Sequence, residues 1–338
     1  MRKLSAPLLM LLWIWACTPE PKEVVLEEVP AERETAAGEH DKLSSYRFFT
    51  GTLKELNPSK GVISYDINAP LFSDYASKKR FIFLPEGKKM KYSPEDVFDF
   101  PEGAVLIKNF YYPQDAGRII ETRLLIKETS GWKALPYIWN DEQTDAFLEP
   151  GGGEKTVNAG ALGNIRYLIP NQTQCKNCHT RGDRMMPVGP TARQLNKKNQ
   201  LEDWKAQNLI EGLPANHQIP KLTAYDDESA DVDLRARSWL EANCAHCHRS
   251  DGPAKTSGLH LLASVTDPMK LGIGKAPVAA GKGSGGKKYD IVPGFPEESI
   301  LYFRIVSNDP GIMMPELGRS IVHEEGARLI SKWIREMK

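Results

Sequence analysis

The sequence has no excess of charge of either sign. Its 338 residues include 44 basic and 44 acidic side chains, so the formal net charge at pH 7 is zero. Proteins that bind nucleic acid through their surface field carry a clear basic excess. We therefore expect no nucleic-acid partner. With 41% hydrophobic and 26% charged residues, the composition is that of globular domains.

The apolar run at the start of the chain is too short to span a bilayer. The ten residues from Pro7 to Ala16 follow Arg2 and Lys3 and precede Cys17, whereas a spanning helix needs about 20. This arrangement predicts a signal peptide at residues 1–16. Its end is typical of a bacterial lipoprotein, in which Cys17 would carry the lipid. An ordinary signal peptide cleaved nearby is the alternative.

Residues 17–42 are rich in Glu and Pro and poor in aromatic residues, so we expect a flexible tether. A lipidated Cys17 would supply the several acyl chains that stable anchoring requires. The expected location is the periplasmic side of the cell envelope. Thr18 after the lipid-bearing cysteine favours the outer membrane, by resemblance to enterobacterial sorting signals.

The sequence also lacks the common catalytic and nucleotide-binding signatures. It contains neither G-x-S-x-G nor H-E-x-x-H, so no hydrolase site is indicated. A formal G-x-G-x-x-G begins at Gly281, but no predicted strand leads into it, and Pro293 and Gly294 follow in place of a helix. This loop predicts no nucleotide partner.

The pattern of apolar residues changes along the chain. Runs of β-type residues bordered by Pro and Gly fill residues 43–170 and predict an antiparallel sandwich or barrel. They are YRFFTG, KRFIFLPEG, AVLIKNFYYP, RIIETRLLIKE, WKALPYIWN and IRYLIP. Helical periodicity begins near residue 191 and returns at 231–243 and 323–338, with a short helical candidate at 297–305. The predicted class is α+β multidomain, with a β-sandwich-like N-terminal domain.

Four of the five cysteines form two copies of one pattern. Cys175, Cys178 and His179 repeat as Cys244, Cys247 and His248. C-x-x-C-H is the attachment motif of c-type haem, because two thiols reach the two vinyl groups and the next histidine reaches the iron. The pattern predicts two covalently bound haems, with His179 and His248 as iron ligands.

Two other uses of these cysteines are weaker. A four-cysteine zinc site would leave the two trailing histidines unexplained, and its cysteine pairs would lie 66 residues apart. Local disulfides or a thioredoxin-like redox motif suit an oxidising compartment, but the latter requires a βαβ context. A zinc-stabilised binding module is therefore a minor hypothesis.

The sixth iron ligands are predicted less directly. For the second haem we favour Met314, because Pro315 favours an extended Met314 and the chain between is long enough to cross the haem; Met313 is next, and both can instead fill the core. For the first haem, Met185 and Met186 follow His179 closely, and rounding the haem would strain the chain. Other possibilities are an open site or one of three further histidines, His217, His260 and His323.

The sequence resembles a bacterial family of two-haem c-type cytochromes that join a β-rich N-terminal region to a cytochrome c domain. The resemblance rests on GVISYDINAPLFSDYASKKRFIFLPEG, ALPYIWNDEQTDAFL, IPNQTQCKNCH, NCAHCHRSDGPAKTSGLHL and DPGIMMPELGR. It implies a first haem-binding segment at 171–225 and a class I cytochrome c-like domain at 226–338. It also implies Cys244, Cys247, His248 and Met314 as one haem-binding set.

The expected function is electron transfer between a redox partner and the respiratory chain. A haem enzyme, such as a peroxidase or an oxidoreductase subunit with an open first haem, is the alternative. Trp139, Asp141 and Glu142 can line a cleft or a partner surface, or simply complete the β core.

Overall fold

The computed structural model describes residues 25–26 and 38–338. The predicted signal peptide, Cys17 and most of the predicted tether lie outside the described residues. Among those residues, no helix has both the length and the apolar composition needed to cross a membrane.

Fifteen strands are present in the described part of the chain. They are β1 (Val25–Leu26), β2 (Phe49–Thr52), β3 (Asn57–Pro58), β4 (Val62–Ser64), β5 (Ser77–Phe83), β6 (Met90–Lys91), β7 (Val105–Tyr112), β8 (Arg118–Glu128), β9 (Gly131–Trp139), β10 (Ala146–Leu148), β11 (Gly153–Asn158), β12 (Asn164–Ile169), β13 (Thr180–Arg181), β14 (Arg184–Met185) and β15 (Ile210–Glu211). Each of the six predicted β-type runs contains a strand, which confirms that part of the sequence prediction.

The main sheet is antiparallel and has six strands in the order β10-β9-β8-β7-β5-β4. Side chains alternate between its faces. One face, which includes Phe81, Ile107 and Leu124, packs against the segment around Phe48 and Phe49 in a single core. The other face carries Ile82 and Leu106, together with several charged residues considered below.

Seven α-helices are described, all of them after residue 170. They are α1 (Gln172–His179), α2 (Ala192–Leu195), α3 (Gln200–Ala206), α4 (Val232–Asn243), α5 (Pro268–Leu271), α6 (Ile300–Ile305) and α7 (Glu324–Glu336). The helical predictions at 231–243 and 323–338 are confirmed, as is the short helix near residue 300. The described chain is therefore α+β.

The helical part is attached to the second face of the sheet. Leu195, Leu201 and Trp204 share a core with Ile82 and Leu106, and β15 pairs in parallel with β6. Helices α4 and α7 pack on each other in a separate core. A cleft remains between the sheet, α1 and α4.

Candidate functional site

The first C-x-x-C-H motif lies on α1. The helix begins with a capping box in which the Asn171 and Gln174 side chains each bond the other residue's backbone N–H. Gln172 also donates to the Ala134 carbonyl of β9 at 2.9 Å and so attaches the helix to the sheet. Because helical residues three and four apart lie on one side, Cys175 shares a face with Cys178 and His179.

A short hairpin fixes the ring of His179. Strands β13 and β14 return the chain through a turn at Gly182, where φ is 60°. The Met186 amide donates to the His179 carbonyl at 2.7 Å, and His179 Nδ1 lies 2.8 Å from the Met186 carbonyl oxygen. A carbonyl only accepts, so Nδ1 carries the hydrogen and Nε2 keeps its lone pair.

The second motif begins where α4 ends. Asp231 caps the helix start by accepting from the Asp233 amide at 2.8 Å. After Asn243 the chain turns tightly, and the His248 amide donates to the Cys244 carbonyl at 3.0 Å. Gly252 is required here, because a Cβ at this position would lie 2.3 Å from the Cys247 carbonyl oxygen.

His248 has the same tautomer as His179 for an independent reason. Its Nδ1 lies 3.0 Å from Ser257 Oγ, and the Ser257 hydroxyl donates its single hydrogen to the Ala254 carbonyl at 2.7 Å. Ser257 Oγ must therefore accept from Nδ1 of His248, which leaves Nε2 with the lone pair. Burial lowers the pKa of both His179 and His248 to about 4, so both rings are neutral at pH 7.

The two motifs meet at their second cysteines. The side chains of Cys247 and His246 act on the thiol of Cys178 and lower its pKa, and Cys178 in turn raises the pKa of Cys247. The ring atom Nδ1 of His246 is buried without a hydrogen-bond partner. His246 therefore lies between the motifs, and the sequence analysis missed it although it stands inside the second one.

All four thiols of the motifs are free. Within the described residues, no three His, Cys, Asp or Glu side chains are grouped as ligands for a metal ion.

A network of charges joins the two motif regions. Arg181, at the end of the first motif's hairpin, donates to Asp251 at 2.7 Å and also bonds Asp96 of the β-rich region. Arg249, beside the second motif, donates to the same Asp251 carboxylate at 2.6 Å. The Gly182 amide adds a bond to the Asp251 carbonyl at 2.8 Å.

The loop that carries Met313 and Met314 lies near the second motif. The Met314 amide donates to the Arg304 carbonyl at 3.0 Å, and Arg319 donates to the Met314 carbonyl at 2.9 Å. Burial raises the pKa of Cys244 to about 12, and the charge of Arg319 opposes this shift. The pKa of His248 is lowered by burial and to a smaller extent by His246 and Arg304. Met314 lines the cleft that holds Cys175, Cys178 and His179, whereas Cys244, Cys247 and His248 do not line it. Met313 is buried in the core.

The other candidate ligands of the first haem are poorly placed. The Met186 carbonyl accepts from Nδ1 of His179. The chain after His179 therefore turns back beside this ring and does not cross to the side that a sixth ligand would occupy. His217 is exposed and His260 does not line the cleft. His323 does line it, but its Nδ1 accepts from Trp239 Nε1 at 3.0 Å, which leaves a hydrogen on Nε2 when the ring is neutral.

Trp139, Asp141 and Glu142 do not line this cleft, although Ala134 and Leu135 at the start of the same segment do. Trp139 is 1% exposed and donates to Thr122 at 2.9 Å. Asp141 and Glu142 are exposed, and Asp141 pairs with Arg118 and Lys155. Trp139 therefore completes the β core and does not line a cleft or a partner surface.

The sequence analysis also missed three cations of the sheet. Arg80, Lys108 and Arg123 line the cleft together with Cys175, Cys178 and His179. In the sequence, each of three neighbouring β-type runs carries one of these residues. Arg80 is in KRFIF, Lys108 in LIKNF and Arg123 in ETRLL. Their proximity becomes visible only once the strand register is known.

The donor set is chemically suited to two c-type haems. Each motif supplies two free thiols and one neutral imidazole, whose Nδ1 is occupied and whose Nε2 is available. Comparison of the chain with protein-family models, curated proteins and solved structures finds no match.

Proposed function

We propose that the protein is an exported two-haem c-type cytochrome that transfers electrons between a redox partner and the respiratory chain. Cys17 would anchor it by lipid to the outer membrane, on the periplasmic side. The proposed organisation has five parts: a signal peptide (1–16), a tether (17–42), a β-sandwich-like domain (43–170), a first haem-binding segment (171–225) and a class I cytochrome c-like domain with the second haem (226–338).

The contact between Cys178 and Cys247 carries the proposal. Each of these thiols would be a haem attachment point in its own C-x-x-C-H motif, and the two are close enough to shift each other's pKa. Two redox groups attached there would be close neighbours, as electron transfer from one to the other requires.

Haem iron supplies one-electron redox chemistry when it is bound. The protein's part is to attach and orient. Cys175 and Cys178 would hold one haem, and Cys244 and Cys247 the other. Met186 and Ser257 fix the ligand tautomers of His179 and His248. Met314 would provide a thioether to the second iron, which would raise its potential and exclude small ligands.

A haem enzyme is the second candidate function. It is favoured by the placement of Met185, Met186, His217 and His260, none of which lines the central cleft, and by the Trp239 bond to His323. A first haem without a strong sixth ligand would bind carbon monoxide when reduced and would react with peroxide. An electron carrier with both positions filled would do neither.

The decisive experiment is a pyridine haemochrome assay on the full chain, produced in a host that matures c-type cytochromes, with iron and zinc counted. We expect two haems per chain and no zinc. Replacing Cys175 and Cys178 by Ser should leave one haem, and so should the same change at Cys244 and Cys247. Zinc without haem, or two haems retained in either double variant, would refute the proposal.

The Cys17→Ser variant is the matched control, since it leaves both motifs intact. It should retain two haems and move from the membrane fraction to the soluble periplasmic fraction. Retention in the membrane would contradict the lipid anchor and leave the haem assignment untouched.

A further inference from the structure

A row of three cations crosses the sheet beneath the first motif. In the strand register, Arg80 of β5 is the partner of Lys108 of β7, and Lys108 is the partner of Arg123 of β8. Direct partners in an antiparallel pair lie on the same face, about 5 Å apart. Lys78, two residues before Arg80, adds a fourth cation on this face. The row lines the cleft that holds Cys175, Cys178 and His179.

The row has too few anions. Glu121 is fully buried and bonds Arg123 through both carboxylate oxygens. Within residues 38–338, neither the side chain of Arg80 nor that of Lys108 has a hydrogen bond or an ion pair, although both residues are paired through the backbone. The ammonium of Lys108 lies 4.8 Å from the Phe110 ring centroid. The carboxylate that acts on the pKa of Arg80 is that of Asp66, which is exposed.

Such an arrangement is unfavourable by itself. Like charges directly opposite on neighbouring strands destabilise a sheet, and charges removed from water require compensation. Burial and the neighbouring arginines lower the pKa of Lys78 to about 7, and that of Lys108 falls well below its usual value for the same reasons. A bound anion would remove this penalty.

The direction of the row identifies the kind of anion. Arg123 is at the end near Cys175, because α1 is attached to β9 through Gln172 and Arg123 lies on β8, the strand next to β9. Arg80 lies two strand spacings further, about 10 Å away. A haem joined to protein through its vinyl groups carries two propionate carboxylates on the edge away from them.

We propose that Arg80 and Lys108 bind the propionate carboxylates of the haem attached to Cys175 and Cys178. This inference rests on the proposed two-haem function and adds the protein groups that hold the first haem's charged edge. It also gives the β-rich region a role in cofactor binding.

The test is a redox titration of the haem-loaded protein. It compares variants that remove one positive charge with variants that keep it. In Arg80→Gln and Lys108→Met we expect two covalent haems, with the midpoint potential of one haem shifted to a more negative value. The loss of a cation stabilises the ferric form, so the double variant should show the larger shift. Arg80→Lys and Lys108→Arg keep the charge and should retain the parental potential, which a purely steric role would not explain.

Lys79→Met is the matched control. Lys79 lies beside Arg80 in β5, but on the opposite face, and it is exposed. This change should leave both potentials at their parental values. The affected haem is identified in the Cys175→Ser, Cys178→Ser background, where the remaining haem should not respond to Arg80→Gln.

The outcomes distinguish the propionate assignment from the two-haem function on which it rests. Two haems with unchanged potentials in the double variant would overturn the propionate assignment and leave the two-haem function standing. A parental protein without covalent haem would overturn both. A dissolved carboxylate, tested by titrating the loaded protein with acetate and succinate, should not bind at this site; saturable binding that depends on Arg80 would also overturn the assignment.

Discussion

A histidine can bind a metal only through a nitrogen that keeps its lone pair, and hydrogen bonds decide which nitrogen this is. In this protein the choice is made twice by unrelated acceptors. His179 donates to the main-chain carbonyl of Met186, whereas His248 donates to the side chain of Ser257. The first acceptor cannot be removed by a side-chain substitution, but the second can.

Ser257→Ala therefore tests the role of the second acceptor. We expect two haems to remain attached and the midpoint potential of one haem to rise, because an imidazole without this bond donates less electron density to ferric iron. A hydrogen bond of this kind contributes about 1 kcal/mol, which limits the shift. Redox titration of the loaded protein measures it.

Thr256→Ala is the control for this prediction. Thr256 is the adjacent residue, is exposed and carries a hydroxyl that does not contact His248. It should leave both potentials unchanged. Equal shifts in the two variants would show that Ser257 does not act through the His248 ring.

The limits of sequence-based prediction are clear at the residue scale. The spacing of C-x-x-C-H predicts which side chains would attach haem, because the chemistry is local. It does not predict Met186 and Ser257 as acceptors, since these contacts depend on the hairpin at Gly182 and on the turn after Gly252. His246 is a similar case, because its importance comes from contact with a cysteine of the other motif.

Elements with a long, regular pattern of apolar residues were predicted correctly from the sequence. Elements in which the pattern is interrupted were not. Residues 191–210 have apolar residues at helical intervals, but the structure has two short helices, α2 and α3, with a break between them. Lys198 has a left-handed φ of 52°, and the Asn196 side chain donates to the Ile219 carbonyl at 2.8 Å. Tertiary hydrogen bonding therefore overrides the helical pattern at this point.

Helix α7 offers a prediction in which propensity and packing disagree. Gly326 faces α4, and a Cβ there would lie 2.4 Å from Trp239 Nε1 and 2.6 Å from His323 Nδ1. Alanine normally stabilises a helix by about 1 kcal/mol relative to glycine. We expect Gly326→Ala instead to lower the free energy of unfolding by about 1–3 kcal/mol, because the helices must separate. Urea denaturation followed by circular dichroism measures the change.

Arg328→Ala is a suitable comparison for Gly326→Ala, because Arg328 lies on the exposed side of α7. It should change the free energy of unfolding by less than about 0.5 kcal/mol. A Gly326→Ala protein more stable than the parent would mean that α7 is not held tightly against Trp239.

For the whole molecule, the central observation is that three regions of the chain meet at one charge network. Asp96 comes from the β-rich region, Arg181 from the first motif's hairpin and Asp251 from the loop after the second motif. Asp74 adds another junction, accepting from the Ser320 hydroxyl at 2.8 Å. None of these partners is near another in sequence, so the composition and periodicity of the chain could not predict them.

The network predicts how stability depends on pH. Burial alone would raise the pKa of Asp251, but hydrogen bonds from Arg181 and Arg249 hold it below its usual value. A depressed pKa in the folded state adds stability above the unfolded value of about 3.9, and this stability is lost as pH falls through the folded pKa. Asp251→Asn removes the titration and should flatten the acid limb of the stability curve.

The measurement is the free energy of unfolding of the loaded protein from pH 7 to pH 3. At neutral pH the cost of Asp251→Asn should be about 1 kcal/mol or less, because the Asp251 side chain is 40% exposed and its ion pairs are partly screened. The difference between parent and variant should shrink below about pH 4. Asp183→Asn, in the turn of the hairpin that carries Arg181 and with a 95% exposed carboxylate, should follow the parent at every pH. A constant difference for Asp251→Asn would show that its carboxylate acts by shape and not by charge, so the three regions would have to be held together by the remaining contacts.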